Sequence, residues 1–191
     1  MSAPESTPAV PRRMPGIDGF WVFIGGDLGI FTLLFFAFLS ARAGDVAGFD
    51  HARQELEIDR GAINTFVLLT SSWCVAQGLE RARRNRPEAT RWVAGALALG
   101  VLFIAGKAWE YALAFRHDHL PSESDFFTYY FVLTGIHLAH VTVGCVLMAV
   151  TCLLWRRRGP RATRGAESIA CYWHLVDFLW IVIFPLIYLL R

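Results

Sequence analysis

Eight ionisable side chains interrupt long apolar runs in this sequence: Asp27, Lys107, Glu110, His137, His140, Glu167, His174 and Asp177. In a bilayer each such residue costs roughly 2.5–3.5 kcal/mol to insert, so each needs a structural or chemical reason. Spacing sorts them. Lys107 and Glu110 stand three apart near the outer edge of one apolar run, where they can pair on one helical face. His137 falls at comparable depth in the next run, so Lys107, Glu110 and His137 form a candidate outer cluster. Asp27 lies about seven residues into the first run, roughly 10 Å from its edge. His174 and Asp177 lie at similar depth in the last run, and Glu167 continues their stripe. These four are read as an inner cluster capped by Glu167. Two chemistries are open to such groups: helix-to-helix fastening, or proton handling by buried carboxylates beside a histidine. His137 and His140 also have the H-x-x-H spacing of a metal-binding pair. No further ligand recurs at metal spacing, and H-E-x-x-H is absent.

The elements that must position these groups follow from composition. Of 191 residues, 55% are hydrophobic, in blocks long enough to cross a bilayer as helices of about 20 residues. The expected spans are about Phe20–Ser40, Gly61–Leu79, Trp92–Phe115, Phe127–Trp155 and Ile169–Leu190. The blocks are too continuous for alternating barrel strands, so the fold class is all-α, a five-helix membrane bundle. Twelve arginines fall outside the spans on one side of the membrane and five on the other, which also carries most of the extramembrane acids. The positive-inside rule then places the N-terminus in the cytoplasm and the C-terminus outside. Gly25, Gly26 and Gly29 should admit a neighbouring backbone. Pro185 should kink or unwind the last span, and the long fourth span should tilt or project.

Several function classes drop out. Cys74, Cys145, Cys152 and Cys171 lie within apolar blocks, without a C-x-x-C pair or a disulfide framework. There is no phosphate loop, dinucleotide fingerprint or nucleophile elbow. The basic connections are explained by topology and anionic headgroups, with no nucleic-acid motif. His51, His117 and His119 fall in outer connections and read as solvated. Residues 1–19, with four prolines and no apolar core, read as a disordered tail ahead of one membrane domain, 20–191.

Two runs then carry a resemblance. Gly135-Ile136-His137-Leu138-Ala139-His140-Val141-Thr142-Val143-Gly144, and Glu167-Ser168-Ile169-Ala170-Cys171-Tyr172-Trp173-His174-Leu175-Val176-Asp177, are similar to the last two helices of cytochrome c oxidase subunit III. Glu110-Tyr111, and Trp21 to Phe38 around Asp27, match that family in order and spacing. The resemblance covers nearly all of residues 17–191. It implies a non-catalytic accessory subunit of a respiratory haem-copper oxidase. Such a subunit carries no cofactor or metal of its own, while haem and copper reside in the catalytic subunit. The implied partners are catalytic subunit I, subunit II and membrane lipids, some of them structural. The implied location is a bacterial inner membrane, and the implied role includes sustaining proton uptake.

Carried over by position, Asp27 stands where the family usually has a membrane glutamate near the catalytic subunit. Glu110, His137, His140, Glu167, Trp173, His174 and Asp177 match its buried polar positions. The long family form has seven helices, and this chain lacks the first two. Short members also include accessory proteins of bacterial nitric oxide reductase, which stands as the alternative partner. An autonomous proton or solute carrier ranks lower, because neither repeated halves nor helices interrupted at midplane are evident.

Overall fold

A computed structural model describes residues 19–116, 124–161 and 163–190. The helices are α1 (Phe20–Gly44), α2 (Val46–Gln54), α3 (Ile58–Arg83), α4 (Ala89–Arg116), α5 (Asp125–Arg158) and α6 (Arg164–Phe184), with a final π turn, Pro185–Leu189. Among the described residues five helices are long and apolar enough to cross a membrane. The tail expected over residues 1–19 lies, Gly19 apart, outside the described residues, as do His117 and His119.

Each spanning helix overshoots its expected apolar block by a charged turn or more. Backbone hydrogen bonding continues past the hydrocarbon edge wherever the next residues are good helix formers. The 34 residues of α5 measure about 51 Å at helical rise, so α5 tilts or projects beyond a core of about 30 Å. Caps set the ends. Ser124 accepts from the Phe127 amide at 3.3 Å to start α5, and Thr163 accepts from the Ala166 amide at 3.2 Å to start α6. Gly159, at φ +80°, ends α5 in a backbone conformation that favours glycine.

The expected first connection contains a helix of its own. In α2, Asp45 caps the Gly48 amide at 3.0 Å, and Phe49 and Ala52 are buried. Phe49 meets Phe38 of α1 and Phe126 of α5 edge-on, with centroids 5.6 and 5.8 Å apart. Arg42 pairs with Asp50 at 3.0 Å across the same corner.

Two glycines shape the core. The Trp173 ring is fully buried between α4 and α5. A Cβ on Gly100 would lie 2.8 Å from this ring, and one on Gly144 2.6 Å. Any larger residue at either site would have to displace the indole. By contrast, Gly25, Gly26 and Gly29 of α1 face open space, with nothing within 4 Å of an added Cβ. Among the described residues the expected close approach is therefore not made by another helix. Small residues in a membrane helix permit contact but do not say whose backbone fills the space.

Candidate functional site

The outer cluster is built on α4. Lys107 is fully buried, with its Nζ 3.1 Å from Glu110 Oε1 one turn on. Nζ also donates to Tyr130 Oη at 3.1 Å and Tyr188 Oη at 3.2 Å. Tyr130 donates onward to Glu110 Oε1 at 2.7 Å, and Tyr188 donates to the same oxygen. The rings of Tyr111, Tyr130, Trp180 and Tyr188 surround the ammonium, with centroids 4.8 to 5.9 Å away. Opposite charges, hydroxyl bridges and aromatic faces together replace the hydration that the lysine gave up. Tyr111 extends the network at 2.6 Å from Thr134. Thr134 spends its own hydrogen on the Tyr130 carbonyl at 2.6 Å, so Tyr111 is the donor.

Tyr188 reaches this cluster through the turn at Pro185. Proline supplies no amide, and the backbone widens so that the Leu190 amide bonds the Pro185 carbonyl five residues back, at 2.9 Å. The Tyr188 carbonyl in turn accepts from Arg53 of α2 at 3.2 Å.

His137 does not enter the polar network. Among the described residues neither ring nitrogen has a hydrogen-bond partner. The imidazole stacks on Trp180 with centroids 5.1 Å apart and meets Phe103 edge-on at 5.8 Å. It thus shares the Trp180 ring with Lys107 and behaves as a packed aromatic.

The four residues expected to form an inner cluster are not assembled but have separate partners. Asp27 faces His140 of α5, with Oδ1 3.5 Å from Nε2, and its Oδ2 has no hydrogen-bond partner among the described residues. His174 bonds Ser72 of α3 through Nδ1 at 2.6 Å and is exposed on the bundle surface. Asp177 is buried beside Ser72, with neither oxygen in a well-formed hydrogen bond. Glu167 pairs with Arg83 of α3 at 3.2 Å. The reason is azimuth. On α6, Tyr172 faces α1 through Phe23, with centroids 6.1 Å apart, while His174 faces α3. Two residues turn a helix by about 200°, so equal depth did not bring Asp27 to His174.

His140 is the partner that spacing did not supply. Its Nδ1 lies 2.8 Å from the Ile136 carbonyl, so Nδ1 carries a proton. Nε2 is the nitrogen that faces the Asp27 carboxylate. Phe31 and Tyr172 border the ring at 5.5 and 6.5 Å, and Tyr172 donates to the His140 carbonyl at 3.2 Å. The two H-x-x-H imidazoles therefore meet different neighbours. Among the described residues no group of three or more His, Cys, Asp or Glu side chains could hold a metal.

Tyr130, Tyr188, Ser72 and Arg83 were missed by sequence reasoning, and Tyr111 entered only as part of the family resemblance. A signal existed for two of them. One buried lysine needs more partners than one carboxylate, and Tyr130 and Tyr188 sit at the matching depth of their helices.

The two sequence runs that carried the family resemblance meet in space, with Trp173 seated on Gly144 and Tyr172 bonded to the His140 carbonyl. Comparison with known proteins agrees. A family model described as cytochrome c oxidase subunit III matches residues 7–191. The chain is 35% identical to "Cytochrome c oxidase subunit 3" of Synechocystis sp., covering 90% of this chain and 74% of that protein. It is 28% identical to the protein of the same name from Corynebacterium diphtheriae, covering 100% of this chain and 96% of the relative. It is 29% identical to "Probable quinol oxidase subunit 3" of Staphylococcus epidermidis, covering 90% and 87% respectively.

Proposed function

The chain belongs to the cytochrome c oxidase subunit III family, and from that premise we propose that it assembles with catalytic subunit I and subunit II of a haem-copper oxidase in a bacterial inner membrane. The family is one of non-catalytic subunits of such complexes. The observation that carries the reading is the match of the family model to residues 7–191. The haem and copper belong to the catalytic partner, and electrons come from cytochrome c or a quinol, as the names of the relatives divide. These names favour an oxidase over a nitric oxide reductase as the host complex.

The contact with the catalytic subunit is assigned to α1. Only Ile24, Asp27, Phe31 and Phe38 of this helix are buried within the chain, and its three glycines leave a flank on which another helix can pack closely. Asp27 and His140 lie just behind that flank, with Oδ1 3.5 Å from Nε2. This pair is the group through which the subunit supports proton uptake, with the N-terminus on the cytoplasmic side. A pull-down of the tagged chain from native membranes in mild detergent, read by mass spectrometry and a haem spectrum, tests the assembly. Co-purification of a large haem-copper subunit is expected. Recovery of the folded chain alone and haem-free would sink it, and capture of a nitric oxide reductase subunit would move it to the alternative complex.

A further inference from the structure

Between the connection from α2 to α3 and the facing ends of α4 and α5 lies a cavity of about 260 Å³. Glu110 and Ala114 of α4 form one wall, and Phe127 and Tyr130 of α5 another. Spacings of four and three each mark one face of a helix, so the cavity runs about one turn inward along both. Glu55, Glu57 and Arg60 border it at the connection. Its deep end is Glu110 and Tyr130, bonded to each other at 2.7 Å. Glu110 lies six residues from the end of α4, about 9 Å at helical rise.

The carboxylate at that deep end is only half satisfied. Glu110 Oε1 takes the Lys107 ammonium and two tyrosine hydroxyls, whereas Oε2 has no hydrogen-bond partner among the described residues. The residue is 8% exposed. A carboxylate oxygen taken out of bulk solvent without a donor is costly, and it borders a space that a donor can enter. A metal ion does not fit, because among the described residues no group of three or more His, Cys, Asp or Glu side chains could hold one. Water does fit. A cavity of this size holds several molecules, each needing about three polar partners, and the Glu110 carboxylate, the Tyr130 hydroxyl and the acids at the mouth supply them. Arg60 is committed to Glu57, with Nε 2.7 Å from Oε2, and the bordering carboxylates outnumber this one guanidinium. A cleft lined by one excess sign of charge concentrates the opposite sign.

We propose that this cavity is an aqueous inlet that binds water at Glu110 Oε2 and admits small cations to the Lys107 cluster in preference to anions. The inlet does not depend on which catalytic subunit the chain joins, so its failure and the failure of the oxidase reading are separable.

The test uses the full chain in the complex purified from its own membranes and placed in bilayer discs. Radiolytic hydroxyl-radical labelling marks side chains beside bound water, even where bulk solvent does not reach. Phe127 is 2% exposed and Phe103, which does not border the cavity, 1%. Labelling of Phe127 several-fold above Phe103 is expected, and equal labelling overturns the inlet without any substitution. Ala114→Cys then reads the charge preference, with the label located by peptide mass spectrometry. A cationic methanethiosulfonate should modify this thiol about fivefold faster than an anionic one of similar size, the effect of one unit charge a few ångströms away in water. Ala112→Cys, exposed on the opposite side of α4, should stay unmodified within the bilayer. An inert thiol at position 114, equal rates for the two reagents, or modification at position 112 as fast as at 114 would each overturn the proposal.

Discussion

The two acid–base pairs inside the bundle differ in how many groups surround them. Around Lys107 and Glu110, one carboxylate oxygen meets an ammonium and two tyrosine hydroxyls, and the lysine meets that oxygen and the same two hydroxyls; the second oxygen of Glu110, like that of Asp27, has no hydrogen-bond partner among the described residues. Asp27 and His140 have a single contact of 3.5 Å, on a helix with an open flank. The first arrangement draws α4, α5 and the end of the last helix to one point. The second leaves room for a proton or a further partner. A buried charge held by many partners fastens, and one held by a single long contact remains available for chemistry or assembly.

The largest effect should come from unbalancing the closed pair. Glu110→Gln or Lys107→Met strands one buried charge and should cost about 3–5 kcal/mol, measured as unfolding of the purified protein in detergent. The double variant should cost less than the two single losses summed. Simple additivity would break the view that they act as one unit. Tyr188→Phe removes one hydroxyl from the network, and a loss of about 1–2 kcal/mol is expected. Asp27→Asn should do the reverse of these variants: stability changes by less than about 1 kcal/mol, while proton-coupled turnover or complex lifetime falls with haem content intact. If turnover and lifetime in that variant match the parent, the contrast between the pairs reduces to packing. The smallest effect is expected at the partly exposed pair of Glu167 and Arg83. Glu167→Gln should cost under about 1 kcal/mol, and the difference should fade in high salt.

Much of the fold was legible because bilayer thickness makes apolar length decisive. All five spanning helices were placed, and Pro185 pointed to the irregular last turn. The pairing of Lys107 with Glu110 was legible because both sit on one helix, where a three-residue spacing fixes the geometry. The partner of Asp27 was not, because depth along a span says nothing about bearing around the bundle. Only tertiary packing turned Asp27 toward His140 and left His174 to Ser72. Helix α2 was hidden for another reason. Nine residues with two buried anchors leave little periodic signal in a charged connection, and its stability comes from Phe38 and Phe126 rather than from its own sequence.

The π turn at the end of the chain has a consequence for how this sequence tolerates changes in length. An i→i+5 bond is what an α-helix holds when one additional residue has been accommodated without a loop. Gain or loss of one residue there would leave Arg164 to Phe184 in register, with Trp173 still seated between its glycines. The bearing of the last turn would change, swinging the Tyr188 hydroxyl away from Lys107 and its carbonyl away from Arg53. The last turn therefore works as an adjustable joint, where a single-residue deletion would spare the helices before it but uncouple Tyr188 from Lys107.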